Sequence, residues 1–180
     1  MRILLLPLLL FSGVGLLCSV TLHLASLTGH ATQLQSLLTE DMQFRVMTSI
    51  TAGIFVVWLP AVLIAQRINK GNRLKFSWKD VLAGCPQWMS YAVYGLFAYA
   101  FINFFLSIST REMDSQQGLR TFSGHWMLFY GMAFCIFFSS WRRPSLLRTR
   151  HCPAGHEVAH NDQFCSLCGL PAAQSGQDEN

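Results

Sequence analysis

Four apolar runs set what this 180-residue chain can fold into. They extend from about Ile3 to Leu27, Val46 to Ala65, Trp88 to Ile108 and Phe122 to Trp141. A helix needs about 20 apolar residues to cross the hydrocarbon core of a bilayer, and each run meets or approaches that length. None carries Asp, Glu, Lys or Arg in its centre. Trp126 and Trp141 bracket the last run, at depths where aromatic rings favour the membrane interface. The expected fold class is an all-α polytopic membrane protein with four transmembrane helices and a small C-terminal zinc ribbon. A composition 52% hydrophobic and only 12% charged separates the chain from ordinary soluble domains.

The first run is too long for the apolar core of a signal peptide and lacks a small-x-small cleavage site, so it is read as a retained helix. Basic residues then set the expected orientation. The second loop holds Arg67, Lys70, Arg73, Lys75 and Lys79 against Asp80, and Arg142, Arg143, Arg148 and Arg150 follow the fourth run. The first loop holds Glu40, Asp41 and Arg45, and the third balances Arg111 and Arg120 against Glu112 and Asp114. Positive-inside bias places both termini in the cytoplasm, and the simple architecture fits a bacterial inner (cytoplasmic) membrane. The chain divides into a membrane domain over 1–141, a basic juxtamembrane linker over 142–150, a metal-binding segment over 151–171 and a disordered tail over 172–180.

That segment reads Cys152-Pro-Ala-Gly-His156, then Cys165-Ser-Leu-Cys168-Gly169 after a polar stretch. Two close pairs of thiol and imidazole ligands suit one tetrahedral zinc ion, since each tight turn supplies two corners. Pro153 and Gly155 shape the first turn, and at Gly169 the missing Cβ lets backbone amides approach the thiolates. The pattern resembles a minimal zinc ribbon of the form C-P-x-G-H…F-C-x-x-C-G, with Phe164 in its aromatic slot, over residues 150–171 alone. The resemblance implies a structural metal knuckle of the kind that serves as a binding module. Cys152, His156, Cys165 and Cys168 are the expected ligands, with His151 and His160 near enough to replace His156. Four protein ligands leave no open position for catalysis. A redox reading lacks the strand–helix–strand context it needs, and a c-type haem site needs His where Gly169 stands.

Inside the spans, Gly95 and Ala98 are expected to allow close helix contact. Tyr99, Asn103 and Ser107 recur on one face of the third span, where packing against a neighbour is the plain expectation and a small-molecule or quinone contact the alternative. Pro60 is expected to kink the second span. Ser77 is placed to cap a short helix whose Trp78, Val81 and Leu82 dip into the headgroup region. Cys18, Cys85 and Cys135 read as packing residues. His23 and His125 lie near the outer ends of the first and fourth helices, which can be neighbours, so a shared haem or copper site is an alternative. Ser123 reads as a cap at the start of the fourth helix.

There is no phosphate loop, zincin motif or nucleophile elbow, and no mid-membrane carboxylate for a proton relay. No residue is nominated as catalytic. The expected function is a protein-interaction, scaffold or assembly role, with the lipid bilayer and a cytoplasmic protein as partners. The competing reading is a membrane redox component or enzyme. Nucleic-acid binding is disfavoured because Glu157 and Asp162 interrupt the basic stretch.

Overall fold

The computed structural model describes residues 2–70, 76–109, 115–148, 150–158 and 162–172. Arg73, Lys75, Arg111, Glu112, Asp114, His160 and the tail beyond Ala172 lie outside the described residues. Four long helices cover the four apolar runs: α1 (Arg2–Leu27), α3 (Glu40–Ile68), α5 (Gln87–Ser109) and α6 (Ser115–Arg142). Each is long and apolar enough to cross a membrane. Two short helices, α2 (Ala31–Ser36) and α4 (Trp78–Val81), sit between them. A 3-10 turn at Pro144–Leu147 and the strands β1 (Arg150–His151) and β2 (Glu157–Val158) complete the chain.

The helices are assembled around α6, which packs against α1, α3 and α5. Over half of its most apolar window is buried, against about a fifth for each of the others. It is also the least apolar of the four. In lipid, apolar side chains gain nothing by turning inward, so small and polar residues are the ones that define helix contacts. Burial follows that rule. Ser12, Ser19, His23, Ser26, Asn103, Ser107, Ser123, Ser139 and Ser140 are buried, while Leu4, Leu10, Phe55, Leu59, Phe101 and Ile108 face outward. Such an apolar exterior would aggregate in water.

Glycines set the closest approaches. A Cβ at Gly15 on α1 would overlap the ring of Tyr130, and one at Gly53 on α3 would overlap its hydroxyl. Tyr130 therefore fills a slot between α1 and α3, where its hydroxyl donates to the Ile50 carbonyl at 2.7 Å. By contrast, Gly95 has nothing within 4 Å of a Cβ position and Ala98 is exposed. The expected contact at those two residues is corrected: their face of α5 points away from the bundle. Leu96 instead meets Gly131.

Further sequence expectations change in detail. Ser77 does cap α4, accepting the Asp80 amide at 3.2 Å, but Val81 and Leu82 are buried within the protein instead of reaching headgroups. α6 begins at Ser115, so Ser123 lies inside the helix. Trp126 is buried against the core and is not an interfacial anchor. Pro60 lies inside α3, which continues as helix on both sides of it, as a kinked helix also does.

Candidate metal centre

The knuckle segment forms two tight turns held by the same kind of backbone bonds. In the first, β1 and β2 pair antiparallel, with Arg150 opposite Val158 and His151 opposite Glu157. The loop between them is closed by Cys152 N–H donating to His156 O at 3.0 Å and Gly155 N–H donating to Cys152 O at 2.8 Å. In the second, Cys165 N–H donates to Leu170 O and Gly169 N–H to Cys165 O, both at 2.8 Å. Gly155 (φ 81°) and Gly169 (φ 70°) occupy the left-handed region at equivalent places in the two turns. There a side chain would be strained by backbone conformation rather than by crowding. A bridge between Phe164 and Pro171 flanks the second turn.

The turns bring Cys152, His156, Cys165 and Cys168 together, with one ligand atom from each within 4.8 Å of all the others. Cys152 Sγ lies 3.6 Å from His156 Nδ1 and 3.6 Å from Cys168 Sγ, and Cys165 Sγ lies 3.8 Å from His156 Nδ1. These separations are far beyond an S–S bond of about 2.05 Å. They match the edges of a tetrahedron with metal–sulfur and metal–nitrogen bonds of about 2.3 and 2.0–2.1 Å, which are about 3.8 Å for S···S and 3.6 Å for S···N. The donor set and its spacing fit a metal ion, with His156 presenting Nδ1. Cys152 and Cys165 are buried, His156 is half-buried and Cys168 is exposed. His151 is exposed on β1 and does not belong to the cluster.

Backbone amides of the second turn also prepare its thiol. The Leu167 N–H, and then the Cys168 N–H and the neighbouring thiols, pull the Cys165 thiol down to about 6, against the opposing effect of burial. A donor array that favours thiolate over thiol is what a cationic ligand requires.

No family model, curated protein or solved structure matches this chain.

The knuckle is fixed to the helices rather than tethered by a linker. Leu146 and Leu147 of the 3-10 turn are buried in the main core cluster with Ile68, Ala65 and Val81. Arg67 Nε, at the end of α3, donates to Leu147 O at 3.1 Å, and Lys70 Nζ pairs with Glu157 Oε1 at 2.7 Å. Arg150 donates to Asp162 O at 3.3 Å, joining the two turns. The basic residues around 142–150 hide this from a reading of charge. Pro144-Ser-Leu-Leu147 was the available signal, since two adjacent leucines have no reason to sit in a solvated linker.

At the other end of the bundle, α1 and α6 are neighbours, but His23 and His125 make separate contacts. His23 Nδ1 lies 2.9 Å from Ser123 Oγ, and Nε2 lies 2.5 Å from the Tyr99 hydroxyl. His125 Nδ1 donates to Thr121 O at 2.8 Å, and its ring packs edge-on to Phe104. With both nitrogens of His23 engaged, neither is directed at a shared metal. Of the stripe on α5, Tyr99 reaches α1 through His23, while the other two meet α6: Asn103 donates to the Arg120 carbonyl at 3.2 Å, and Ser107 meets Thr121 at 2.5 Å. This seam is packing made of hydrogen bonds.

Proposed function

We propose that the chain is an integral membrane protein crossing the bilayer four times, both termini cytoplasmic, that presents a structural zinc ribbon as a docking module for a cytoplasmic protein. Zinc is the ion favoured by three thiolates and one imidazole at tetrahedral spacing. A reducing compartment keeps those thiols available for it. With four protein donors the ion has no open position, so its role is to fold the segment.

The observation that carries the docking reading is the surface of the second turn. Phe164, Leu167 and Leu170 are exposed there, whereas Glu157 of the first turn is held by Lys70 at the end of α3. One side of the knuckle is thus anchored and the other presents large apolar side chains. In a small polar module such residues mark an interaction face.

The test is site-specific photo-crosslinking from position 167 in intact membranes. The expected product is an adduct with one discrete protein, lost when Cys165→Ser removes a metal ligand. Adducts only with lipid would assign the apolar face to the membrane surface and overturn the docking reading.

A further inference from the structure

α3 and α6 pack closely along one part of their length and part company along the other. Val57, Ala61 and Ala65 of α3 share the main core cluster with Ala133, Ile136 and Phe137 of α6. Small side chains on both helices allow that approach. Tyr130 ends the packed part, its hydroxyl on the Ile50 carbonyl at 2.7 Å. Towards their N-terminal ends the two helices enclose an open cavity of about 680 Å³. Phe44, Ala52 and Phe55 of α3 and Gly118, Phe122 and Trp126 of α6 form its walls. The space is there because residues on both walls are small. A Cβ at Gly118 would meet nothing within 4 Å.

Size and charge both bear on what fits there. The volume lies within the range of about 300–1,000 Å³ common to ligand pockets. From Phe44 to Phe55 the groove covers about 16 Å of helix, roughly half of a hydrocarbon core. That depth suits a chain from one leaflet. A helix of another protein would need contact along the whole core and small residues on its seam, but Phe44, Phe55, Phe122 and Trp126 dominate these walls. Thr48 and Thr51 interrupt an otherwise apolar lining, and the Thr51 hydroxyl is turned back onto the Met47 carbonyl at 2.8 Å. The charge sits at the mouth. Glu40 and Asp41 open α3, and helical spacing puts them on either side of the groove face, one turn beyond Phe44. Both are exposed, and neither pairs with a cation among the described residues. Arg45 is set about a quarter-turn to one side on α3, and Arg120 lies on the face of α6 away from Gly118 and Phe122.

We propose that this groove binds one acyl chain of a phospholipid with a primary-amine headgroup, its ammonium beside Glu40 and Asp41. The lipid comes from the leaflet at the N-terminal ends of α3 and α6, and the site rests on the reading that the helices cross a bilayer. Lipid tails are as apolar as the groove walls, so burial alone gives the chain little reason to stay. Selection comes from the fixed aromatic walls and from the two carboxylates. A primary ammonium donates charge-assisted hydrogen bonds to a carboxylate. A choline headgroup has no N–H to donate, and an anionic headgroup is repelled.

The experiment photolabels the full-length protein in phosphatidylcholine nanodiscs. The probe is phosphatidylethanolamine with a diazirine midway along one acyl chain, and adducts are mapped peptide by peptide. They should concentrate on residues 44–55 and 118–126. Gly118→Phe, which places a ring in the groove, should abolish that labelling and leave labelling at the outward-facing Phe101 unchanged. Ala52→Phe, on the opposite wall, should do the same. Unlabelled phosphatidylethanolamine should compete about fivefold better than phosphatidylglycerol, the scale of one charge at a membrane surface. Glu40→Gln with Asp41→Asn should remove that preference. Labelling spread evenly over the outward faces, labelling indifferent to both ring substitutions, or equal competition by the two lipids overturns the site and leaves the bilayer crossing intact. A helix of another chain in the groove would exclude the probe from 44–55, which also overturns the site. Absence of adducts on all four long helices would overturn the crossing itself, and the site with it.

Discussion

The helical bundle and the knuckle place their polar groups inside for different physical reasons. In the bundle, apolar side chains cover the outside and serine, histidine and asparagine lie between helices. In lipid, burial of apolar surface would not drive such helices together, and fit at glycines and hydrogen bonds across the seams would hold them. Among its described residues the knuckle buries only Cys152, Val158, Cys165 and Ala172. A segment with so little core has little hydrophobic means to fold, and a metal held by its thiols would take over that task. One region thus depends on many weak contacts, and the other on a single strong centre.

The largest expected break in that comparison is metal removal. A structural zinc contributes about 10–16 kcal/mol of binding free energy at neutral pH. Chelation, or Cys165→Ser, should therefore abolish hydrogen-exchange protection across 150–158 and 162–172. Protection across α1, α3, α5 and α6 should persist. Loss of helix protection on chelation would mean that the knuckle supports the bundle.

The next effect belongs to Tyr130. It fills the space left by Gly15 and Gly53 and joins three helices. Tyr130→Ala should cost about 3–5 kcal/mol through the cavity it leaves. Tyr130→Phe removes only the bond to Ile50 and should cost about 1 kcal/mol. Equilibrium unfolding in detergent micelles checks both. Similar losses for the two would make the hydrogen bond, not the fill, the main contribution. His23→Leu should follow at about 1–2 kcal/mol, the scale of interhelical bonds in membranes, by losing its contacts with Ser123 and Tyr99.

How much of this was legible in the sequence depends on which physical rule was at work. Four helices follow from the apolar runs because length and composition alone decide whether a segment suits a bilayer. Hydropathy measures the apolar stretch and not the helix, so α3 starts at Glu40 and α6 at Ser115, ahead of their apolar runs. The gathering of Cys152, His156, Cys165 and Cys168 was legible because spacing and turn glycines act locally. Helix contacts were not. Gly95 looked like a contact residue, but whether a glycine meets a neighbour depends on the rotation of its helix, which pattern does not give. The central place of α6 had a signal in its lower hydropathy and its small residues Gly124, Gly131, Ala133 and Ser139. Burial of Leu146 and Leu147 is a tertiary event masked by flanking arginines.

The smallest expected effect tests how the two regions are joined. Lys70 and Glu157 form the one salt bridge among the described residues, with side chains 60% and 37% exposed. Such a pair is screened by solvent and contributes between about 0 and 1 kcal/mol. Lys70→Gln should therefore leave knuckle protection nearly unchanged, and what change there is should vanish at high salt. Leu147→Ala removes buried contact with the core shared by α3 and α6 and should cost about 2–5 kcal/mol. It should loosen the knuckle from the helices without releasing its metal. The contrast can be read by hydrogen exchange at the end of α3 alongside metal content. If Lys70→Gln had the larger effect, charge rather than the buried leucines would join the knuckle to the bundle. The juxtamembrane stretch would then be a linker after all, because an exposed ion pair leaves both partners free to separate in solvent.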